Sequence, residues 1–180
     1  MTSGAPESSR PVDEYGGGRR RVGRRMPRGL IALVGAWLGA VVFFGAGVAP
    51  SAFAALPSPA DAGALVGKLL PILFVAGIVV GVILLIAAAR FTTARPLIRR
   101  TMAIAGALML VACALAQLWV APEIDRVRGS VAALDSLSPD DPVRHEFGRL
   151  HALSVALLGV SWLAGAALLV IGSMAPARRA

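Results

Sequence analysis

The chain has 180 residues, of which 57% are hydrophobic, and its mean hydropathy is +0.74. A soluble domain has to keep a polar surface, so this composition excludes an ordinary soluble enzyme or binding domain. The formal net charge is +8, and most of the arginines lie beside apolar segments. Anionic lipid headgroups are therefore the expected partner, and nucleic acid is not.

Charge divides the chain into a tail and four long apolar stretches. Residues 1–28 contain Gly, Pro, Ser and Arg without apolar periodicity, which predicts a disordered basic cytoplasmic tail. Each apolar stretch supplies the roughly 20 residues that cross about 30 Å of hydrocarbon as a helix. We therefore predict an all-α membrane protein, a four-helix transmembrane bundle at 29–174, with a cytoplasmic tail at 175–180. The predicted spans are about 29–49, 66–89, 101–121 and 150–173.

The basic residues predict the orientation of the spans. The segments before the first span, between the second and third, and after the fourth carry 13 of them, and the alternate segments carry five. Because basic residues concentrate on the cytoplasmic side, both termini and the loop at 90–100 are predicted to be cytoplasmic. Ala52-Phe53-Ala54 also resembles a signal-peptide cleavage site. The uncharged run from Gly29 is longer than a usual signal core, and cleavage would still leave three spans.

Segment 122–149 is the one sizeable polar stretch on the predicted outer side. Apolar residues recur there at three- and four-residue spacing between 124 and 137, which predicts a short amphipathic helix at the membrane surface. Ser138, followed by Pro139 and two acids, is typical of a helix start. The fourth helix is therefore expected to begin outside the membrane, near 139–142.

Small residues indicate where the helices approach each other, because lipid provides no hydrophobic force between them. The first span has glycines four residues apart, the second has two such pairs on one stripe, and a glycine of the fourth shares a stripe with polar residues. The predicted packing glycines are Gly35, Gly39, Gly63, Gly67, Gly77, Gly81 and Gly165.

Polar side chains on facing stripes of the third and fourth spans form a candidate site. They are Gln117, His151, Ser154 and Ser161. Gln117 and Ser154 are expected at similar depth, and a neutral His151 is able to bridge them. Polar side chains at membrane depth face the bundle interior. Two interpretations stay open: the cluster holds the helices together by hydrogen bonds, or it lines a small outward-facing site.

Motifs for catalysis or cofactor binding are weak in this sequence. Met102, Met109 and Cys113 share a face, and thioether and thiolate groups suit Cu(I), although such residues also fill apolar cores. The single cysteine excludes an intrachain disulfide, and the different faces of His145 and His151 argue against a haem. No predicted span contains a carboxylate, which counts against an ion pump. We expect neither enzymatic activity nor a cofactor.

Four stretches of sequence resemble a known family. They are Ala49-Pro50-Ser51-Ala52-Phe53, residues 63–71, Ala121-Pro122-Glu123-Ile124, and Phe147-Gly148-Arg149-Leu150-His151-Ala152-Leu153-Ser154. Together they resemble the bacterial "domain of unknown function 4149" family, which is related to eukaryotic transmembrane protein 205, over about 29–174. The resemblance implies a four-helix membrane bundle without an established activity. A more distant similarity to the membrane domain of copper resistance protein D implies metal ligands that are not evident here.

The sequence Val-Ala-Pro closes a span on the predicted outer side twice, at 48–50 and at 120–122, which suggests two tandem helical hairpins. The bias of the basic residues towards Arg is typical of bacteria with GC-rich genomes. We interpret the chain as a structural or accessory, stress-related protein of a bacterial cytoplasmic membrane. One alternative is a small-solute or ion transporter or binder that uses the polar cluster as a homo-oligomer. The other is a copper- or haem-linked membrane protein.

Overall fold

The computed structural model describes residues 26–90, 96–131 and 137–174, and these residues are helical apart from short turns. The helices are α1 Arg28–Phe43, α2 Ala49–Ala55, α3 Pro59–Arg90, α4 Pro96–Leu115, α5 Ala121–Gly129 and α6 Pro142–Met174. π-helical turns at Phe44–Val48 and Ala116–Val120 join α1 to α2 and α4 to α5. Most of the predicted N-terminal tail and all of the predicted C-terminal tail lie outside the described residues.

The described helices combine into four continuous rods, which we number spans one to four. They are Arg28–Ala55, Pro59–Arg90, Pro96–Gly129 and Pro142–Met174. Each rod is long and apolar enough to cross a membrane, and the shortest has 28 residues. At about 1.5 Å per residue, every rod exceeds the roughly 30 Å of a hydrocarbon core. The predicted all-α architecture with four membrane-spanning helices is confirmed.

The two π-helical turns have the same cause. Each directly precedes an Ala-Pro pair, Ala49-Pro50 or Ala121-Pro122, and proline has no N–H for the carbonyl four residues earlier. In the π turns the bond reaches one residue further, so that Ala49 N–H pairs with Phe44 O and Ala121 N–H with Ala116 O. The wider turn lets the helix continue past the proline. Spans one and three therefore share a local structure as well as the Val-Ala-Pro sequence, as two tandem hairpins would.

The segment between spans three and four differs in two ways from the sequence prediction. The amphipathic helix is not a separate element at the membrane surface, because α5 continues α4 through the π turn and ends at Gly129. The fourth helix does begin at Pro142, but its cap is Asp141, whose carboxylate accepts the Val143 N–H at 2.8 Å, rather than Ser138. An acid at this position satisfies a free backbone donor of the first turn.

All four spans contribute buried residues to the core, and α4 packs most extensively on α3 and on α6. Span one packs more loosely, and two tryptophans attach it to the bundle. Trp37 Nε1 donates to Leu73 O of span two at 3.1 Å, and Trp162 Nε1 of span four donates to Leu38 O at 3.4 Å. Apolar side chains such as Leu118 and Leu163 point away from the bundle and are exposed, as lipid-facing residues are.

Candidate functional site at the outer end of the bundle

The candidate polar residues lie along the contact between spans three and four. The end of the bundle that carries the turns at 56–58 and 137–141 is called the outer end, after the orientation that the arginines predict. Going inward from this end, span four presents Phe147, His151, Ser154 and Ser161, each about one or two turns below the last.

The two serines are buried but bond within their own helix. Ser154 Oγ donates to His151 O and Ser161 Oγ donates to Leu158 O, both at 2.8 Å. A serine that bonds the carbonyl three or four residues earlier has no need of a partner on a neighbouring helix. Ser161 additionally lies next to the Cys113 thiol on span three.

Cys113 and Ser161 belong to a point where all four spans meet. A Cβ on Gly77 would come within 2.5 Å of Cys113 Sγ and 3.1 Å of Trp37 Cζ2. Cys113 and Ser161 are fully buried, and Trp37 is 4% exposed. Because Gly77 has no side chain, Cys113 of span three and Trp37 of span one both pack against its Cα.

Gln117 lies in the π turn at Ala116–Val120, and its polar side chain is only partly buried. Its Oε1 atom is buried and has no hydrogen-bond partner among the described residues. A buried acceptor without a donor costs about 1–3 kcal/mol. π turns are frequently found at functional sites, which makes this oxygen the most unusual polar atom of the predicted cluster.

His151 does not bridge Gln117 and Ser154 as the sequence suggested. Its side chain is exposed, and its ring stacks on that of Phe147, with 6.1 Å between centroids and 14° between planes. The structure thus brings Ser161 next to Cys113 and leaves Gln117 and His151 without the expected hydrogen bond. The predicted cluster is divided into a buried part and an exposed part.

Arg128 joins the exposed part of the site. Its Nη2 atom donates to Gly63 O at 3.2 Å, and its Cζ atom lies 5.1 Å from the centroid of the Phe147 ring. This distance is within the range of a cation–π interaction. We call Gly63, Gly67, Arg128, Phe147 and His151 the outer cluster; it connects spans two, three and four.

Gly63 and Gly67 on span two make room for the Arg128 guanidinium. A Cβ on Gly63 would lie 3.1 Å from Arg128 Nη2, and one on Gly67 would lie 3.0 Å from Arg128 Nη1. The predicted packing glycines Gly63 and Gly67 therefore contact a guanidinium instead of another helix. The deeper glycines contact their neighbours directly: Gly77 meets Cys113, Gly81 meets span three, and Gly165 meets Leu38 of span one.

Gly35 and Gly39 are placed differently from the other predicted packing glycines. A Cβ on either would meet nothing within 4 Å among the described residues, and Gly39 is exposed. Within one copy of the chain, these two glycines of span one do not form a helix contact. Their face points away from the bundle.

Acidic side chains near the outer cluster pair with a different arginine. Arg126 bonds Glu123 on its own helix and Glu146 on span four, the latter at 3.2 Å. The Arg126 guanidinium beside Glu123 holds the pKa of this carboxyl below its usual value. Both ion pairs are exposed, so they contribute little stability, but they add a second link between α5 and α6.

The contacts of Arg128 were not predicted from the sequence. The sequence did contain a sign of them. An arginine near the end of an apolar span tends to pack its methylene groups against the helices and keep its guanidinium in water. The glycine pair at Gly63 and Gly67 showed where such a side chain could fit. The pairing of the two could not be read from the sequence, since it depends on how α5 continues span three.

The residues considered for soft-metal binding all lie in the core. Met102, Met109 and Cys113 are at most 1% exposed and pack with the apolar residues of the bundle. Among residues 26–90, 96–131 and 137–174, no three His, Cys, Asp or Glu side chains come together as metal ligands would. The arrangement of the two methionines and the cysteine is that of packing residues.

Comparison with known families gives one match. The family model described as Domain of unknown function (DUF4149) matches residues 32–132, more than half of the 180-residue chain. The chain belongs to this family. The DUF4149 match covers spans one to three with both π turns, and it ends before the 147–154 stretch of span four. No curated protein and no solved structure matches the chain.

Proposed function

We propose that this DUF4149 protein is a structural or accessory component of a bacterial cytoplasmic membrane, that it acts under membrane stress, and that it is not an enzyme. The observation that carries this proposal is the filled interior of the bundle. Phe74, Leu84, Met102, Met109 and Leu168 are at most 1% exposed. They belong to one core to which all four spans contribute, and a transport path would have to run through it.

The proposed cellular location is supported by the charge distribution. Arg residues at the predicted cytoplasmic ends of the spans fit the anionic inner leaflet of a bacterial membrane. In this orientation the outer cluster and the ion pairs of Arg126 lie on the periplasmic side.

Complementation of a deletion strain with paired variants tests the proposal. The phenotype measured is survival under membrane stress, such as a sublethal detergent concentration, with the amount of membrane-inserted protein determined in parallel. If the protein acts through its fold and not through a polar site, His151→Leu and Ser154→Ala retain survival, and Gly81→Leu loses survival together with the membrane-inserted protein. Val79→Leu is the matched control for Gly81→Leu, because Val79 is on the same helix and 51% exposed.

A second candidate function, a small-solute binder with an outward-facing polar site, is favoured by the unpartnered Oε1 atom of Gln117. A solute or water that donates a hydrogen bond would remove the cost of this buried acceptor. In the same assay, a Gln117→Leu protein that inserts at the normal level but fails to restore survival would favour the binder. Survival with Gln117→Leu, together with loss of survival with Gly81→Leu, supports the structural role.

A further inference from the structure

We propose that Arg128, held by the outer cluster, binds an anionic phosphate group at the outer surface of the membrane. The ligand chemistry is a phosphate with uncompensated negative charge, supplied either by the headgroup of an acidic lipid or by a free phosphate. Five features of the described residues lead to this assignment: the position of the guanidinium, its lack of a salt bridge, its free donors, its depth and the cations at the same end of the bundle.

The guanidinium of Arg128 is fixed by three helices. The side chain begins on α5, its Nη2 atom bonds Gly63 O of α3 at 3.2 Å, and its Cζ atom lies 5.1 Å from the Phe147 ring of α6. The glycines at 63 and 67 let the two Nη atoms lie against the backbone of α3. An arginine side chain that is already fixed loses less conformational entropy on binding a ligand than a mobile surface arginine does.

Arg128 forms no salt bridge with the described residues. The salt bridges at this end join Arg126 to Glu123 and to Glu146, so those two acids are engaged by another residue. Asp125 lies on the same helix as Arg128 and is exposed, without a salt bridge within the described ranges. A half-buried cation without an anion has lost part of its hydration and gains from any anion that can reach it.

Most of the donors of Arg128 remain free for a ligand. A guanidinium carries five N–H groups, and among the described residues the acceptor that they contact is Gly63 O. The planar fork of the remaining donors matches two oxygens of a phosphate, which is the geometry that makes arginine a common phosphate ligand. The Phe147 ring lies 5.1 Å from Cζ and Gly63 O occupies one donor of Nη2, so an anion binds through the remaining N–H groups.

The depth of Arg128 corresponds to that of lipid phosphates. Span three has 34 residues, about 50 Å at the usual helical rise, which exceeds the roughly 30 Å of hydrocarbon by several turns. Arg128 is the penultimate residue of this span, and its partners Gly63 and Phe147 each lie within the first six residues of their own spans. The outer cluster therefore lies beyond the hydrocarbon, at the level of the headgroups.

Two further cations lie at the same end of the bundle. Lys68 follows Gly67 on span two, and Arg149 follows Phe147 by two residues on span four; both are exposed. Exposed cations at this end raise the local concentration of anions without being fixed themselves. They are suitable controls, since removing either changes the net charge of the outer end by the same amount as removing Arg128.

Thermal unfolding of the full chain in phosphatidylcholine-based mixed micelles tests the proposal. Three additions are compared: dioleoyl phosphatidylglycerol, the same amount of dioleoyl phosphatidylcholine, and inorganic phosphate. For the wild-type chain, phosphatidylglycerol at about 100 times its Kd is expected to raise the unfolding midpoint by roughly 5 °C or more, and phosphatidylcholine to leave it unchanged. An increase with inorganic phosphate as well identifies a free-phosphate site, and an increase with phosphatidylglycerol alone identifies a lipid site.

Variants separate binding from a purely structural role of Arg128. In Arg128→Gln the increase with phosphatidylglycerol is expected to disappear, whereas Arg149→Gln is expected to keep most of it. A structural arginine would lower the midpoint in every micelle and leave the increase intact, and that result would overturn the proposal. An equal increase with phosphatidylcholine, or no increase with any addition, would overturn it too.

A second readout covers the case in which Arg128→Gln does not fold. Arg128→Lys keeps the positive charge but loses the planar set of donors that binds two phosphate oxygens. It is therefore expected to weaken binding of phosphatidylglycerol by about tenfold or more. Native mass spectrometry of protein released from the micelles counts the phosphatidylglycerol molecules that stay bound. One retained lipid in wild type and in Arg149→Gln, and none in Arg128→Lys, is the expected pattern; equal retention in all three contradicts the assignment.

Discussion

Gly81 of span two and Gly106 of span three lie directly against each other's backbone. A Cβ on Gly81 would come within 2.9 Å of Gly106 O, and a Cβ on Gly106 would come within 2.9 Å of Gly81 O. The contact is reciprocal, so the spacing of the two spans is set by the absence of both side chains. The buried Leu84 packs next to this contact, since a Cβ on Gly106 would lie 3.0 Å from Leu84 Cβ.

Replacing Gly81 with a larger residue is expected to separate spans two and three. A Cβ at this position would be 2.8 Å from the Leu110 backbone nitrogen, which cannot move independently of its helix. Gly81→Ala should destabilise the fold by about 1–3 kcal/mol, as overpacking of a core does. Gly81→Leu should prevent folding altogether. Thermal unfolding and size-exclusion chromatography in detergent measure both effects.

Val79→Leu serves as the control, because Val79 is on the same span with its side chain exposed. Its unfolding midpoint should stay close to that of the wild type. If Gly81→Leu and Val79→Leu behaved alike, the close approach at Gly81 would not be a determinant of the fold.

Gly39 gives the opposite expectation. A Cβ there meets nothing within 4 Å in the described chain, and leucine favours a helix more than glycine does by roughly 1 kcal/mol. Gly39→Leu should therefore fold with an unchanged or higher unfolding midpoint. The molar mass in detergent, measured by light scattering, reports whether the sequence-based prediction of a homo-oligomer uses this face. Destabilisation of a monomer as severe as that in Gly81→Leu would refute the placement of Gly39.

Gln117→Leu is expected to be neutral or stabilising. The substitution removes a buried acceptor that lacks a partner and keeps a side chain of similar size. Ser154→Ala is the comparison, since the Ser154 hydroxyl is satisfied by its own helix and its removal should cost about 1 kcal/mol. A large fall of the unfolding midpoint in Gln117→Leu alone would show that Oε1 accepts a bond from a bound molecule.

The pH dependence of Glu123 follows from its contact with Arg126. The pKa of this carboxyl is lowered from its usual value of 4.5, mainly by the hydrogen bond from Arg126. A group with a lowered folded-state pKa stabilises the fold above its unfolded pKa, and that contribution is lost as the pH falls through the folded pKa. NMR titration should find a pKa below 4.5 in wild type and a return towards it in Arg126→Gln. Arg144→Gln, on the same end of the bundle, should leave the Glu123 titration unchanged.

Much of the fold could be predicted from the sequence because lipid leaves few alternatives. Uncharged stretches of this length have to satisfy their backbone internally, so four spans followed from hydropathy alone. The start of span four near Pro142 was also evident. The cap was assigned to the wrong residue, since several polar residues precede Pro142 and only the local chain path places Asp141 beside the Val143 N–H.

The candidate site was harder to predict, for physical reasons that differ between residues. Periodicity placed Gln117, His151 and Ser154 on facing stripes, but a stripe does not fix the rotation of a helix. The π turn at Ala116–Val120 changes that rotation and leaves Gln117 without the expected bond. Arg128 became part of the site because α5 continues span three to Gly129, whereas the sequence predicted that the span closes at Pro122. The spacing of the glycines likewise could not show whether they contact another helix, a guanidinium or lipid.

Labelling of introduced cysteines in intact cells tests the central claim, a four-span bundle with both termini in the cytoplasm. The native Cys113 is fully buried, so the wild-type chain provides a low background for a membrane-impermeant maleimide. Exposed positions are available at both ends: Ala60 and Ser138 at the outer end, and Arg100 at the opposite end. Ala60→Cys and Ser138→Cys should be labelled in intact cells, and Arg100→Cys only after the membrane is permeabilised. Labelling of Arg100→Cys in intact cells, or protection of one outer position while the other reacts, would contradict the four-span arrangement.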